Sequence, residues 1–95
     1  MNIRIIGIDG IGGHKVNRIF STLKDFEFIK TVGIREFNNP CGDVIYDVTI
    51  EIESVYSDDV SIFIYDNSIY IVDYDCRQQA CIYIDRSAYE RVEII

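Results

Sequence analysis

The chain predicts a single α+β domain spanning residues 1–95: a mainly antiparallel sheet of five or six strands with one principal helix packed on one face. Three observations carry that reading. Residues 3–20 run from an apolar segment through four glycines within seven residues into helical periodicity; the second half alternates apolar and polar residues; and turn-forming clusters separate short runs of Ile, Val, Tyr and Phe. At 95 residues the chain fits one domain, with an expected radius of gyration of about 12 Å. Its 48% hydrophobic content leans towards β-branched and aromatic residues, which favour strands.

The elements follow in order. Ile3–Ile8 is the first strand. His14–Lys24 is the helix, because Val16, Ile19, Phe20 and Leu23 stand at i, i+3, i+4 and i+7 and form one apolar stripe that has to lie on a sheet. Phe26–Phe37 reads as a long second strand with Phe26, Phe28, Lys30, Val32 and Ile34 on one face. Asn38-Asn39-Pro40-Cys41-Gly42-Asp43 is turn chemistry and the clearest break. From Val44 to Glu53, Val44, Tyr46, Val48, Ile50 and Ile52 alternate with Ile45, Asp47, Thr49, Glu51 and Glu53, so one face is core and the other meets water. Ser57-Asp58-Asp59 turns the chain, Val60–Tyr65 and Ile69–Tyr74 form a hairpin about Asp66-Asn67-Ser68, Cys81–Ile84 is a last strand, and Arg86–Arg91 is a short helix or an irregular end.

The glycine-rich turn is the segment with the most specific shape. A strand, a tight turn and a helix leave backbone N–H groups at a helix N-terminus, where an anion is favoured, so Gly10, Gly12, Gly13, His14 and Lys15 are the candidates for holding a small anion or nucleotide. Neither standard phosphate motif is complete. Against G-x-G-x-x-G, Gly7 and Gly12 fit the outer positions but Asp9 replaces the central glycine; against the P-loop pattern, Gly13-His14 stand where Lys-Ser is required and Lys15 is displaced.

Residues 3–20 resemble the first strand, loop and helix of the bacterial tubulin homologues of cell division, with Val16-Asn17-Arg18 as the segment after the glycines. They are also similar to the opening of the ubiquitin-activating and ThiF-type adenylation fold, whose acidic second strand looks like Ile71-Val72-Asp73-Tyr74-Asp75 followed by Arg77-Gln78. A third likeness is to ACT-type regulatory domains, which set an Asp and a Gly between their first strand and helix as Asp9 and Gly12 stand here. Three unrelated families share the segment, so the likeness implies a local strand–turn–helix shape and assigns no family.

Charge narrows the partners. Sixteen acidic residues against nine basic give a formal net charge of −7. A nucleic-acid binder needs a basic face to displace counterions, so direct binding to DNA or RNA is not expected. A basic protein partner is. Asp47, Glu51 and Glu53, extended by Asp58 and Asp59, make a candidate acidic row, with Tyr56, Tyr65 and Tyr70 as nearby amphipathic anchors. No run approaches the ~18 apolar residues that span a membrane and no signal-peptide pattern opens the chain, so a cytoplasmic protein without membrane contact is expected.

Three cysteines, Cys41, Cys76 and Cys81, cannot all pair within one chain, and reduced thiols are expected. No C-x-x-C knuckle occurs, and no metal or cofactor is expected; a zinc site would have to draw on these thiols and His14. His14 is the single histidine and no nucleophile motif accompanies it, so a catalytic triad cannot be assembled from sequence. Cys76 beside Arg77 is a candidate low-pKa thiol or an ordinary hairpin end. The expectation is a non-catalytic binding protein of inhibitor, antitoxin or nucleic-acid-mimic type. A ligand-sensing module built on residues 7–15 is the alternative.

Overall fold

A computed structural model describes residues 1–73 and 78–95. Seven strands form among them: β1 (Asn2–Ile8), β2 (Ile29–Asn38), β3 (Val44–Ile52), β4 (Ser61–Ile64), β5 (Ile69–Val72), β6 (Gln79–Ile82) and β7 (Arg91–Ile94), with one α-helix, α1 (Gly13–Ser21), after β1. The fold is α+β, as its sequence predicts. The strands divide into two antiparallel sheets, β2-β3-β1-β7 and β4-β5-β6, where one sheet of five or six was expected. Topology explains the division. Both edges of β3 are taken by β1 and β2, so the chain leaving Ile52 cannot pair back on β3; it turns through Ser54–Tyr56 and builds a second sheet, and the last strand returns to the free edge of β1.

A single core joins the layers. Ile3, Ile5 and Ile8 of β1, Val48 and Ile50 of β3, and Ile69, Ile71 and Ile82 of the second sheet are fully buried with Val16 and Phe20 of α1. The alternation read along Val44–Glu53 holds for Tyr46, Val48, Ile50 and Ile52, all buried, whereas Val44 at the strand entrance is exposed. The helix presents Val16 and Phe20 inward, as its stripe requires, then tightens into a 3-10 turn at Thr22–Asp25 that buries Leu23. The long molecular axis reaches 43 Å and the Cα radius of gyration is 13.1 Å, above the expectation of about 12 Å for a rounder domain.

Several boundaries differ from the expectations: α1 ends at Ser21 where Lys24 was expected, and β6 is Gln79–Ile82 where Cys81–Ile84 was expected. Phe26 donates to the carbonyl of Leu23 and Ile29 to that of Phe26, so the chain is still turning at residue 28 and β2 starts at Ile29. A register shift between Ile29 and Thr31 then breaks the alternation, burying Phe28 and Ile29 together and leaving Lys30 in solvent. At the other end, Arg86–Ala88 is a 3-10 turn and Arg91–Ile94 is a strand paired with β1, not an irregular tail. The expected strand end at Tyr74, and Cys76 with Arg77, lie outside the described residues.

Candidate functional site

The loop after β1 is built by its glycines in two ways. Gly7 and Gly10 stand at φ 73° and 81°, backbone that residues with a Cβ rarely adopt. Gly13 has ordinary φ but no room: a Cβ there would lie 2.6 Å from the Tyr46 hydroxyl. Asp9, Gly10 and Gly12 are exposed, and the amide of Asp9 donates to the carbonyl of Ala88. Lys15 borders an open groove of about 170 Å³ with Ile11, Ile19 and Tyr83, and a second of about 410 Å³ with Arg18, Thr22, Cys81 and Tyr83. His14 is exposed and its side chain makes no hydrogen bond among the described residues.

The acidic row takes a different form from a free line of charge. Asp47 accepts a hydrogen bond from the Gly7 amide at 2.9 Å and stands in register with Arg35, while Glu51 accepts from the Thr31 hydroxyl at 3.4 Å. On the same sheet face Arg4 reaches Glu93 at 3.9 Å, and Arg91 holds both Glu93 and Glu90. The outer face of the first sheet therefore mixes both signs. Glu53 lies just beyond β3 and is half-buried, and Asp58 and Asp59 are exposed in the turn before β4. Tyr56 is half-buried against the core and donates to Glu27 at 3.5 Å. Neither Tyr65 nor Tyr70 lies on this first sheet.

Those two tyrosines belong to the second sheet. Cross-strand register sets Phe63, Tyr70 and Cys81 in one row and Ser61, Val72 and Gln79 in the next, while Ile62, Ile71 and Ala80 point to the opposite face and close the core. Tyr65 follows β4 directly and meets Tyr70 edge-on at a centroid distance of 5.6 Å. Tyr83 follows β6. The result is an aromatic outer face, with Phe63 48%, Tyr65 54% and Tyr83 72% exposed. An open groove of about 610 Å³ runs over it, lined by Phe63, Tyr65, Asn67, Tyr70, Val72 and Gln79 among others, and none of the described residues that line it is charged. The hairpin between β4 and β5 is held by the Tyr65 amide donating to the Ser68 carbonyl around Asp66-Asn67, a two-residue loop of the polar residues that such turns favour.

Hydrogen bonding to Cys81, reinforced by the charge of its thiolate form, raises the phenols of Tyr70 and Tyr83 above their ordinary value. Both stay neutral donors well into the alkaline range. Phe63, Tyr83 and the groove were not among the sequence candidates; Tyr65 and Tyr70 were. Among the described residues Cys41 and Cys81 are free thiols, one in the β2–β3 turn and one on β6, and no three His, Cys, Asp or Glu side chains converge as a metal-ligand set. No helix among them is long and apolar enough to cross a membrane. No protein-family model, curated protein or solved structure matches the chain.

Proposed function

We propose that the protein is a non-catalytic binding protein that docks on a basic partner protein, in the manner of an inhibitor or antitoxin. The observation that carries this is the aromatic outer face of β4-β5-β6 with its open groove, uncharged among the described residues, in a chain of net charge −7. Tyr and Phe provide large contact area at small conformational cost and dominate binding energy where they are concentrated at an interface. A surplus of carboxylates around such a face attracts and orients a positive surface. Asp58 and Asp59 before β4, Asp66 after it and Asp85 after β6 supply that rim, whereas the acids of the first sheet are partly neutralised by Arg4, Arg35 and Arg91. The test is affinity capture with the wild-type chain and a Tyr65→Ala, Tyr70→Ala double variant of unchanged melting temperature. Basic proteins held by the wild type, released by salt and lost by the variant support the reading; basic proteins held equally by both would sink it.

A second reading rests on Lys15. In this acidic chain Lys15 and Arg18 form no ion pair among the described residues, and both face the groove shared with Cys81 and Tyr83. A small anion or nucleotide at this end of the Gly10–Lys15 loop would find two free cations beside an aromatic ring. Calorimetric titration with phosphate and with ATP decides it: a salt-sensitive signal abolished by Lys15→Ala supports a ligand-sensing module, and flat titrations leave a structural turn.

A further inference from the structure

We infer that β4 is an edge for strand addition: an extended segment of the basic partner pairs with it as a fourth strand of the second sheet and drops alternate side chains into the aromatic groove. This rests on the docking reading and specifies the partner's conformation. β4 is the terminal strand of its sheet and pairs only with β5 among the described residues. The Tyr65 amide donates to the Ser68 carbonyl, and hydrogen-bonded pairs alternate along an antiparallel ladder. Ser61 and Phe63 therefore spend their backbone groups on β5, while Ile62 and Ile64 direct amide and carbonyl away from the sheet.

Exposed edges are normally guarded by charge, proline or irregularity. The edges of the first sheet are: β2 carries Lys30, Arg35 and Glu36 and a register shift, and β7 carries Arg91 and Glu93. β6, the other edge of the second sheet, shares a groove with Lys15 and Arg18. β4 has no such guard. Ser61-Ile62-Phe63-Ile64-Tyr65 contains no charge, glycine or proline, and Phe63 and Ile64 are each 48% exposed on opposite faces. An added strand would cover both and border the 610 Å³ groove, which starts at Phe63 and Tyr65. Main-chain pairing would then supply affinity and the groove side-chain specificity.

Charge selects the occupant. Asp58 and Asp59 precede β4 and Asp66 follows it. A second copy paired antiparallel would bring the Asp58-Asp59 end of each β4 towards Asp66 of the other, on two bodies each of net charge −7. Like charges so placed oppose the dimer. A foreign strand with Lys or Arg at both ends meets carboxylates at both ends, in either direction along β4.

The probes are three peptides of alternating Val and Thr: one with Lys at both ends, one with Glu, and one Lys-ended with alternate amides N-methylated. Each is titrated by fluorescence anisotropy into wild type, Ile64→Pro, Ile64→Ala and the Tyr65→Ala, Tyr70→Ala double variant. Proline at 64 removes an outward amide on an extended, half-exposed edge, the kind of strand position where proline is found. The Lys-ended peptide should bind wild type, bind Ile64→Ala nearly as well, and lose about tenfold or more on Ile64→Pro, with the same loss for the N-methylated peptide on wild type. The N-methylated arm keeps the test intact if Ile64→Pro fails to fold. Undiminished binding by Ile64→Pro, or by the methylated peptide, together with a loss in the tyrosine variant overturns strand addition and leaves face docking standing. Equal binding of the Glu-ended peptide overturns the docking reading itself. No binding by any peptide, or a dimer in ultracentrifugation that Ile64→Pro abolishes, also overturns the inference, the latter giving the edge to a second copy.

Discussion

The carboxylate of Asp47 accepts the backbone amide of Gly7 across the β1–β3 pair, with Oδ1 2.9 Å from the nitrogen. The bond closes an irregularity. Between Ile5↔Val48 and Ile8↔Tyr46, β1 spends two residues, Ile6 and Gly7, where β3 spends one, Asp47, so the bulge leaves an amide with no ladder partner. Asp47 satisfies it and Gly7 supplies φ 73°. Asp47→Ala should therefore destabilise the fold by about 1–3 kcal/mol, with Asp47→Asn recovering most of the loss because it keeps an acceptor. Gly7→Ala should cost at least as much, since its Cβ would sit 2.9 Å from Cβ of Glu90. Urea midpoints of the three variants check this, and a neutral Asp47→Ala would remove the carboxylate's structural role.

Phe20 anchors the helix in the core. It is fully buried beside Val16 and Leu23, and α1 is too short to persist in water without that packing. Phe20→Ala should cost about 3–5 kcal/mol. A loss under about 1 kcal/mol in chemical denaturation would mean that the helix is held some other way.

How far the sequence was readable depended on contrast between adjacent positions. Along β3 every second residue is polar, so its core face, Tyr46, Val48, Ile50 and Ile52, could be read directly. The stripe of α1 was readable for the same reason. β4 and β5 lack that contrast. In Ser61-Ile62-Phe63-Ile64-Tyr65 and Ile69-Tyr70-Ile71-Val72 both sets of alternate residues are apolar or aromatic, so period two marks a strand without saying which face meets water. Phe63 was missed as a surface residue for that reason. β7 was missed because Arg91-Val92-Glu93-Ile94 is short and half charged; its pairing with Arg4 and Ile5 is a tertiary fact. The acidic row illustrates the converse. Spacing placed Asp47 and Glu51 on one face, but only cross-strand register could put Arg35 and Arg4 among them.

Cys81 should set the ionisation of its two tyrosine neighbours. Hydrogen bonding to Cys81, and then the charge of its thiolate form, raise Tyr70 and Tyr83 above the ordinary value of 10.0. A folded-state pKa raised above the unfolded one favours the protonated phenol, so any contribution to stability is present below pH 10.0 and fades as pH climbs through the raised values. Tyr83 is exposed and Tyr70 only half-buried, so the effect belongs in a titration and not in a melting curve. Cys81→Ala should move two phenols back towards 10.0 in an ultraviolet phenolate titration. An unchanged titration would detach the thiol from the aromatic face.

The acids and the aromatic face should separate kinetically once a basic partner is in hand. Rim charges act at a distance and govern association rate and its salt dependence, whereas buried aromatic anchors govern dissociation. Glu51 and Glu53 lie on or just beyond β3, with Glu51 held by Thr31, while Tyr65 and Tyr70 form an edge-on pair over the groove of the other sheet. Glu51→Lys with Glu53→Lys should slow association and flatten its salt response while leaving dissociation near wild type. Tyr65→Ala with Tyr70→Ala should speed dissociation about tenfold or more and leave the salt response of association intact. Surface plasmon resonance at several ionic strengths reads both quantities at once. If the charge-reversed variant binds like wild type and the tyrosine variant does not, the partner contacts the second sheet alone and the carboxylates of β3 serve the sheet's own lattice of Arg4, Arg35 and Arg91. The reverse outcome would return the interface to the row of acids on the first sheet, and the aromatic face would then need another occupant.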